Sequence, residues 1–266
     1  MATMKKTPIF VVGCPRSGTT LIRVILDSHP NICCGPETHL VKNMENFREK
    51  ISERWKMLAP YGVKEQAMNQ KIKEILLLFM NQYIKSKGKK RWGEKTPDNI
   101  FHVDFIDELF PDCQFINIIR DGRDVVCSYK KRWGSKTIFL AIKNWNKSIE
   151  LTYRYRTKFN EDRYMEIRYE ELVTNPERET KKMMQFLGEE WIPDLLAHHK
   201  IDHDFWFKSS KGQQIISKME KNLQRHSPSK PIFSSSVGKW KKNLNIVEKA
   251  LVSIYLGKNL KRMGYK

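Results

Sequence analysis

The feature that most constrains the fold is a short apolar segment followed by a glycine-rich loop and a helix. Residues 8–13 read PIFVVG, a β-branched run typical of a buried strand, and residues 19–30 have helical spacing. Between them, GCPRSGTT (13–20) follows the pattern G-x-x-x-x-G-T-T, one position away from the phosphate-binding loop G-x-x-x-x-G-K-[ST]. Thr19 stands where that loop has lysine, and Arg16 lies inside the loop. The segment predicts a strand, an anion-binding loop and a helix in succession.

The chemistry of such a loop favours an anionic ligand. Backbone N–H groups at a helix start lack intrahelical partners, and the helix dipole is positive there. Gly13 permits the tight turn, and Gly18 lets the backbone approach a ligand. Thr19 and Thr20 add hydroxyl donors, and Arg16 adds a planar guanidinium suited to phosphate or sulfate oxygens. The lysine of nucleoside triphosphatases reaches the β- and γ-phosphates, so its absence favours a donor without a γ-phosphate and without an obligatory metal.

Strands and helices alternate along most of the remaining chain. An apolar run predicts a buried strand at 114–120, and a short strand is predicted at 164–168. Helical spacing recurs in five further segments: 72–85, 102–111, 137–159, 176–187 and 246–264. In the first helix, Arg23 and Asp27 are expected opposite the apolar face. The alternation predicts one α/β domain over residues 1–266, with a central, mostly parallel sheet covered by helices on both faces.

Charge and composition narrow the class of protein. The 266 residues carry a formal net charge of +19, which suggests an anionic ligand, nucleic acid or an anionic membrane surface. A solvated basic surface without such a partner is the alternative. No stretch approaches about 18 apolar residues and the first apolar run is too short for a signal sequence, so we expect a cytoplasmic protein without stable membrane insertion. Its oligomeric state is open. The five cysteines show no C-x-x-C spacing, which favours buried thiols in a reducing compartment over disulfides or zinc ligands.

A second segment also has the features of a phosphate site. In INIIRDGRDVVCSY, Arg120 ends a predicted strand, where the carboxyl edge of a parallel sheet gathers ligands. Ser128 follows eight residues later, about two turns into the next predicted helix. The pair is suited to hold a second phosphate. The alternative is a surface R-D-G-R turn with internal arginine–aspartate pairing.

Four blocks of the chain resemble the PAPS-dependent sulfotransferase family, PAPS being 3′-phosphoadenosine 5′-phosphosulfate. The blocks are PRSGTTLIRVILDSHPNICCGPETH, WGEKTPDN, FPDCQFINIIRDGRDVVCSY and IRYEELVTNPE. They fall in residues 8–40, 92–130 and 164–190, and SSSVGKWKKNL (234–244) is similar to the family's carboxyl-terminal donor-binding segment. The branch that they resemble most contains tyrosylprotein sulfotransferases and bacterial relatives. The resemblance implies a three-layer fold like that of P-loop NTPases, with PAPS as co-substrate and adenosine 3′,5′-bisphosphate as product.

The resemblance also implies roles for individual donor-binding residues. The 5′-phosphosulfate would be held by the first loop: Arg16, Ser17, Gly18, Thr19 and Thr20. The 3′-phosphate would be held by Arg120 and Ser128, with Gly238 and Lys239 in a loop that folds over the donor. Tyr169 would lie near the adenosine. The aromatic residue that stacks on the adenine is left open, with Trp92 and Trp240 as candidates.

Sulfuryl transfer needs a base for the acceptor hydroxyl and positive charge for the leaving oxygen. By family position Glu37 is the expected base, and His39 two residues later is the alternative. Arg16 and Lys95, the latter placed in a turn before Thr-Pro, are expected to stabilise the transferring group and the leaving oxygen. Fixed cations make a metal unnecessary, so no metal is predicted. His199 and His203 stand at i, i+4 but lack the surrounding pattern of a metal site.

The acceptor is a hydroxyl compound whose identity the sequence leaves open: a small molecule, a glycan or a protein tyrosine. Its contacts are expected from the segments 42–91 and 196–235, the second of which contains the aromatic residues Phe205, Trp206 and Phe207. Two other functions are alternatives. A P-loop small-molecule kinase is disfavoured by the missing lysine, and a basic nucleic-acid-binding protein by the absence of a recognised reader motif.

Overall fold

Five short parallel strands form the centre of the molecule, in a computed structural model that describes residues 7–203 and 230–266. The strands are β1 (Ile9–Val12), β2 (Ile32–Cys34), β3 (Arg91–Lys95), β4 (Gln114–Ile119) and β5 (Tyr164–Arg168). Their order across the sheet is β2-β3-β1-β4-β5, and every neighbouring pair is parallel. The predicted parallel sheet is confirmed, with β1 at its centre.

Helices connect the strands and cover both faces of the sheet. They are α1 (Thr19–Asp27), α2 (Leu40–Ser52), α3 (Trp55–Leu58), α4 (Glu65–Lys87), α5 (Val103–Leu109), α6 (Gly122–Trp133), α7 (Ile138–Lys158), α8 (Tyr169–Thr174), α9 (Pro176–Leu187), α10 (Trp240–Asn243) and α11 (Ile246–Arg262). Successive side chains of β1 point to opposite faces of the sheet, as strand geometry requires. Phe10 packs with α4 and α5, whereas Ile9 packs with α1 and α9. The result is the three-layer arrangement that the sequence predicted.

Two of the strands were not predicted, and both lie on one side of the sheet. Strand β2 has only three residues, and β3 reads RWGEK, which carries three charged side chains. All five residues of β3 are nevertheless buried. The guanidinium of Arg91 donates to the Thr7 and Leu187 carbonyls at 2.7 and 2.8 Å and to the Gln114 side chain at 2.5 Å. Tertiary hydrogen bonds therefore make this polar strand possible.

The expectation that Arg23 and Asp27 lie on a polar, outward face of α1 is wrong, because both side chains are buried. Arg23 Nε donates to the Cys34 carbonyl at 2.8 Å, and the Cys34 N–H donates to Asp27 Oδ1 at 2.9 Å. They supply hydrogen bonds to the backbone of the edge strand β2, which has a neighbouring strand on one side only.

All five cysteines are buried free thiols, as the sequence predicted. Within the described part of the chain, no helix is both long enough and apolar enough to cross a lipid bilayer.

Candidate active site

The loop between β1 and α1 has a backbone that only glycine accommodates at two positions. Gly13 and Gly18 have φ values of 148° and 106°. A Cβ on Gly18 would lie 2.5 Å from Cδ2 of Tyr169, and one on Gly13 would lie 2.5 Å from the carbonyl oxygen of Ile118. Arg16 also has positive φ, at 75°, an uncommon conformation for a residue with a side chain. The loop is thus held close to β4 and to Tyr169.

The amino terminus of α1 fits an anion. Gly18 is the N-cap residue and provides no side-chain cap, so the first N–H groups of this nine-residue helix lack that partner. Thr19 and Thr20 begin the helix at this point. Ser17, unlike Thr19 and Thr20, lies in the loop before the helix. Its hydroxyl is buried without a hydrogen-bond partner among the described residues, and it lines a cavity of about 10 Å³ beneath the loop.

The two phosphate-site segments identified in the sequence meet in the structure. Arg16 Nε donates to Ser128 Oγ at 3.1 Å across 112 residues of sequence. Arg120, immediately after β4, donates to the Arg16 carbonyl at 3.1 Å and to the Ser236 carbonyl at 2.7 Å. Arg16, Arg120 and Ser128 therefore form one cluster at the carboxyl edge of the sheet, where α/β proteins bind ligands.

The cluster concentrates positive charge. Burial lowers the pKa of Arg16 from its usual value, and the nearby cations of Arg132 and Arg120 lower it further. An arginine remains charged in such surroundings, so the cost of gathering these cations is offset when an anion binds between them. Sequence reasoning missed Arg132, an exposed residue near the end of α6.

Tyr169 connects the loop to the carboxyl-terminal segment. The Arg120 guanidinium lies 4.3 Å from the centre of the Tyr169 ring, and the same ring lies against Gly18. The Tyr169 hydroxyl shares a 2.5 Å hydrogen bond with Ser236 Oγ. Ser236 is a second residue that the sequence analysis missed, although it lies within the SSVGKW motif.

The segment that contains Gly238 and Lys239 is fixed to α6 by a buried carboxylate. Asp124 accepts hydrogen bonds from the Gly238 N–H at 2.7 Å and from the Trp240 N–H at 2.9 Å. The Gly238 N–H is therefore already engaged, and Lys239 is exposed beside it. Asp124 is a third residue that the sequence analysis did not single out. It brings residues 238–240 to the helix that carries Ser128.

The structure separates the two tryptophans considered for adenine stacking. Trp92 is buried in the core, in edge contact with Phe10 and Phe110, so it is not available to a ligand. Trp240 lies at the site, with the Arg123 guanidinium 4.2 Å from its ring centre. Arg123 also pairs with Asp121 at 2.7 Å. The internal pairing considered for the R-D-G-R turn thus exists, but it engages Arg123 and leaves Arg120 in the cluster.

Lys95 lies at the end of strand β3 and not in a turn, so that part of the prediction is wrong. The strand position is next to Val11 of β1, which brings the ammonium group under the loop. Lys95 pairs with Glu37 and lies 3.3 Å from Thr20 Oγ1. The Lys95 side chain is 2% exposed and that of Glu37 is 36% exposed. Burial lowers the pKa of Lys95, and the Glu37 carboxylate opposes this shift.

His39 occupies a different place from Glu37. It is exposed, precedes α2, and has a φ of 53°, the left-handed conformation. Its N–H donates to Thr96 Oγ1 at 3.4 Å. The carboxylate of Glu37, and not the His39 ring, is the group that contacts Lys95.

The histidines at 199 and 203 do not form a metal site in the part of the chain that is described. His203 Nδ1 lies 2.6 Å from Asp27 Oδ2, and its Nε2 donates to the His198 carbonyl at 3.0 Å. Within residues 7–203 and 230–266, no group of three or more potential ligands could hold a metal ion.

Only part of the two expected acceptor segments is described. Segment 42–91 contains most of α2, all of α3 and α4, and the first residue of β3, and the Tyr83 ring lies against Gly35, two residues from Glu37. Residues Phe205, Trp206 and Phe207 lie outside the described residues. The acceptor role of both segments stays a prediction.

Comparison with known proteins places this arrangement in a family. The model of the sulfotransferase family matches residues 8–193, more than half of the chain. The chain belongs to the sulfotransferase family. Among curated relatives, the family member named protein-tyrosine sulfotransferase in Drosophila melanogaster is 30% identical over 241 residues, covering 87% of this chain and 46% of that protein. Protein-tyrosine sulfotransferase 2 of Gallus gallus is also 30% identical, covering 87% of this chain and 62% of that protein. The chain thus spans about half to two thirds of the length of these relatives.

Solved sulfotransferase structures share the fold. The sulfotransferase domain from the curacin biosynthetic pathway superposes with a TM-score of 0.67 at 20% identity, covering 94% of this chain and 97% of that one. The sulfotransferase domain of the Synechococcus PCC 7002 olefin synthase gives a TM-score of 0.64 at 20% identity, covering 97% of each chain. A mouse sulfotransferase complexed with PAP gives 0.51 at 14% identity, covering 97% of this chain and 85% of that one. The predicted fold class is confirmed.

Proposed function

We propose that this protein transfers a sulfuryl group from PAPS to a hydroxyl acceptor. The observation that carries the proposal is the hydrogen bond between Arg16 and Ser128, which joins the two segments that we propose to bind the two charged ends of the donor. A donor with charged groups at both its 5′ and 3′ positions needs two such sites. A family match and a neighbour solved with PAP support the same donor.

The residues present fit such a donor. In our proposal the 5′-phosphosulfate binds at the start of α1, with Arg16, Thr19 and Thr20 as its side-chain donors. The 3′-phosphate binds at Arg120 and Ser128, beside the segment that contains Lys239. Arg120 supports this assignment because its Nε is buried and lacks a hydrogen-bond partner among the described residues. In the same proposal, Tyr169 and Trp240 contact the nucleoside.

The proposed chemistry is a direct in-line transfer without a metal. Glu37 takes the proton of the acceptor hydroxyl as that oxygen bonds to sulfur, and the bond from sulfur to the bridging oxygen of the donor breaks. Lys95 and Arg16 stabilise the charge on the leaving oxygen of adenosine 3′,5′-bisphosphate. The burial of Lys95 strengthens this interaction, because a charge acts over a lower effective dielectric constant there than in water.

The acceptor is a hydroxyl compound, and the relatives favour testing tyrosine first. Both reported relatives carry the name protein-tyrosine sulfotransferase. A tyrosine beside acidic residues would also be attracted by the net charge of +19. Small alcohols, phenols and glycans belong in the same assay.

Ligand binding separates the proposal from its two alternatives. We expect adenosine 3′,5′-bisphosphate to raise the melting temperature, since a ligand at 100 times its Kd adds about 2.7 kcal/mol of stability. AMP should raise it less, because the 3′-phosphate contacts are missing. Stabilisation by ATP with Mg²⁺ but not by adenosine 3′,5′-bisphosphate would support a kinase instead. Tight binding to generic DNA duplex that weakens steeply with salt would support the nucleic-acid alternative.

A further inference from the structure

Strand β3 presents adjacent charged residues to opposite faces of the sheet. Successive side chains of a strand alternate between faces. Lys95 contacts Glu37 on one side, whereas Glu94 is 3% exposed and lies on the other. The proposed mechanism assigns a role to Lys95 and leaves Glu94 without one.

The carboxylate of Glu94 accepts three hydrogen bonds from neutral side chains. Thr96 Oγ1 and Thr38 Oγ1 donate to its Oε1 at 2.6 and 3.1 Å, and Asn99 Nδ2 donates to its Oε2. Burial raises the pKa of Glu94, and these donors oppose the shift because they bind the carboxylate. A buried carboxylate is costly without such partners, so the surrounding residues are arranged to hold it.

One of these donors is the residue next to Glu37. Thr38 lies in the irregular segment between β2 and α2, and its Oγ1 also accepts a hydrogen bond from the Leu40 N–H at 3.2 Å. The next residue, His39, has the left-handed conformation that side chains disfavour, and its N–H is held by Thr96. Hydrogen bonds that converge on Glu94 thus fix the path of the chain on the carboxyl side of Glu37.

We propose that Glu94 is a positioning residue that holds residues 37–39 so that the Glu37 carboxylate meets Lys95. Strand β3 then positions the candidate base through two of its residues. Lys95 contacts Glu37 directly, and Glu94 acts through Thr38. The inference rests on the proposed function, in which Glu37 is the base.

The test removes the Thr38 hydroxyl, which donates to Glu94 and accepts from the Leu40 N–H, and leaves the buried carboxylate in place. Thr38→Val keeps the side-chain shape and loses the hydroxyl, whereas Thr38→Ser keeps the hydroxyl. Thr180→Val is the matched control, because Thr180 is a buried threonine whose hydroxyl donates to the Pro176 carbonyl at 2.8 Å within α9. Glu94→Gln is a second variant, since its amide would place a donor opposite Asn99.

Two readouts distinguish positioning from a general structural role. Hydrogen exchange of a peptide covering residues 35–41 should accelerate in Thr38→Val and Glu94→Gln and stay unchanged in Thr180→Val. With an acceptor from the assay above, kcat should fall up to about 100-fold in Thr38→Val, as for a small displacement of a catalytic group. The KM for PAPS and the affinity for adenosine 3′,5′-bisphosphate should change less than about twofold, on the same reasoning. Thr38→Ser should recover most of the turnover.

The possible failures can be told apart. If exchange of residues 35–41 is unaltered in both Thr38→Val and Glu94→Gln, Glu94 does not hold the segment and the inference is wrong. The inference also fails if exchange accelerates while kcat stays at the wild-type value, or if donor binding is lost in parallel with turnover. Absence of turnover in the wild type with every acceptor would instead contradict the proposed function, and hydrogen exchange would still decide the role of Glu94.

Discussion

The Lys95–Glu37 pair predicts that removing one member costs much more stability than removing the other. Lys95 is 2% exposed and Glu37 is 36% exposed. Removing the buried ammonium by Lys95→Met leaves a carboxylate that water can reach. Removing the carboxylate by Glu37→Ala leaves a buried ammonium whose remaining hydrogen-bond partner among the described residues is Thr20. The first change should be tolerated, and the second should not.

The magnitudes follow from the cost of burying charge. Glu37→Ala should lower the free energy of unfolding by about 2–4 kcal/mol, because it leaves the buried Lys95 ammonium without its charge partner. Lys95→Met should change it by less than about 1 kcal/mol or raise it, since replacing a buried charge by an apolar side chain is often neutral or stabilising. Both variants should lose turnover. The loss for Lys95→Met should be about 100- to 1,000-fold in kcat, as for the loss of one electrostatic donor at a reacting oxygen.

The pH dependence of the Glu37→Ala effect gives a further check. Burial lowers the pKa of Lys95, and Glu37 opposes that shift, so the variant should lower it further. The unfolded chain keeps the ordinary lysine pKa, so between the two pKa values it binds a proton at Lys95 that the folded variant does not bind. The destabilisation should therefore be full below the lowered folded pKa and shrink as pH rises toward the ordinary lysine value. Urea unfolding from pH 7 to pH 10 measures this. Equal destabilisation by the two substitutions, or a Glu37→Ala effect independent of pH, would refute the reasoning.

Three other predictions concern the loop, the second anion site and a buried histidine. Gly18→Ala should lower the free energy of unfolding by about 2–4 kcal/mol, because the new methyl group would overlap the Tyr169 ring and the residue would keep a positive φ. An unchanged urea midpoint would count against this. Arg120→Met should lower the affinity for adenosine 3′,5′-bisphosphate about 10- to 100-fold and the affinity for AMP much less, as expected for charge-assisted hydrogen bonds. Equal losses of affinity in calorimetry would place the 3′-phosphate elsewhere. Burial and neighbouring histidines lower the pKa of His198 to about 4. As pH falls from about 6.5 to 4, the free energy of unfolding of the wild type should therefore decrease by about 3 kcal/mol more than that of His198→Gln. Parallel pH profiles of unfolding would contradict that assignment.

The apolar patterns were enough to predict the centre of the fold. Strands β1 and β4 coincide with apolar runs, as burial on both faces of a parallel sheet requires, and β5 and helices α1, α7 and α9 lie in segments that the sequence predicted. Strand β3 was not predictable in the same way. Its polar residues are buried only because partners distant in sequence, such as Leu187 for Arg91, complete their hydrogen bonds.

The candidate site also contains some residues that local sequence patterns predicted and others that only long-range contacts reveal. Arg16, Arg120 and Ser128 were predicted because strand ends and helix starts attract anions, and the structure brings them together. The contacts of Ser236 and Asp124 join segments more than 60 residues apart, and no local pattern in the chain signals them. The roles of the site residues, the single domain over residues 1–266 and the cytoplasmic location stay predictions.

The central claim is tested most directly by following PAPS turnover in the presence of EDTA. Mass spectrometry should show adenosine 3′,5′-bisphosphate and a sulfated hydroxyl acceptor forming in equal amounts with the wild-type protein. With Glu37→Ala the product should be absent, although calorimetry still shows donor binding. The claim would be contradicted if no acceptor is sulfated, or if transfer proceeds at the wild-type rate without the Glu37 carboxylate.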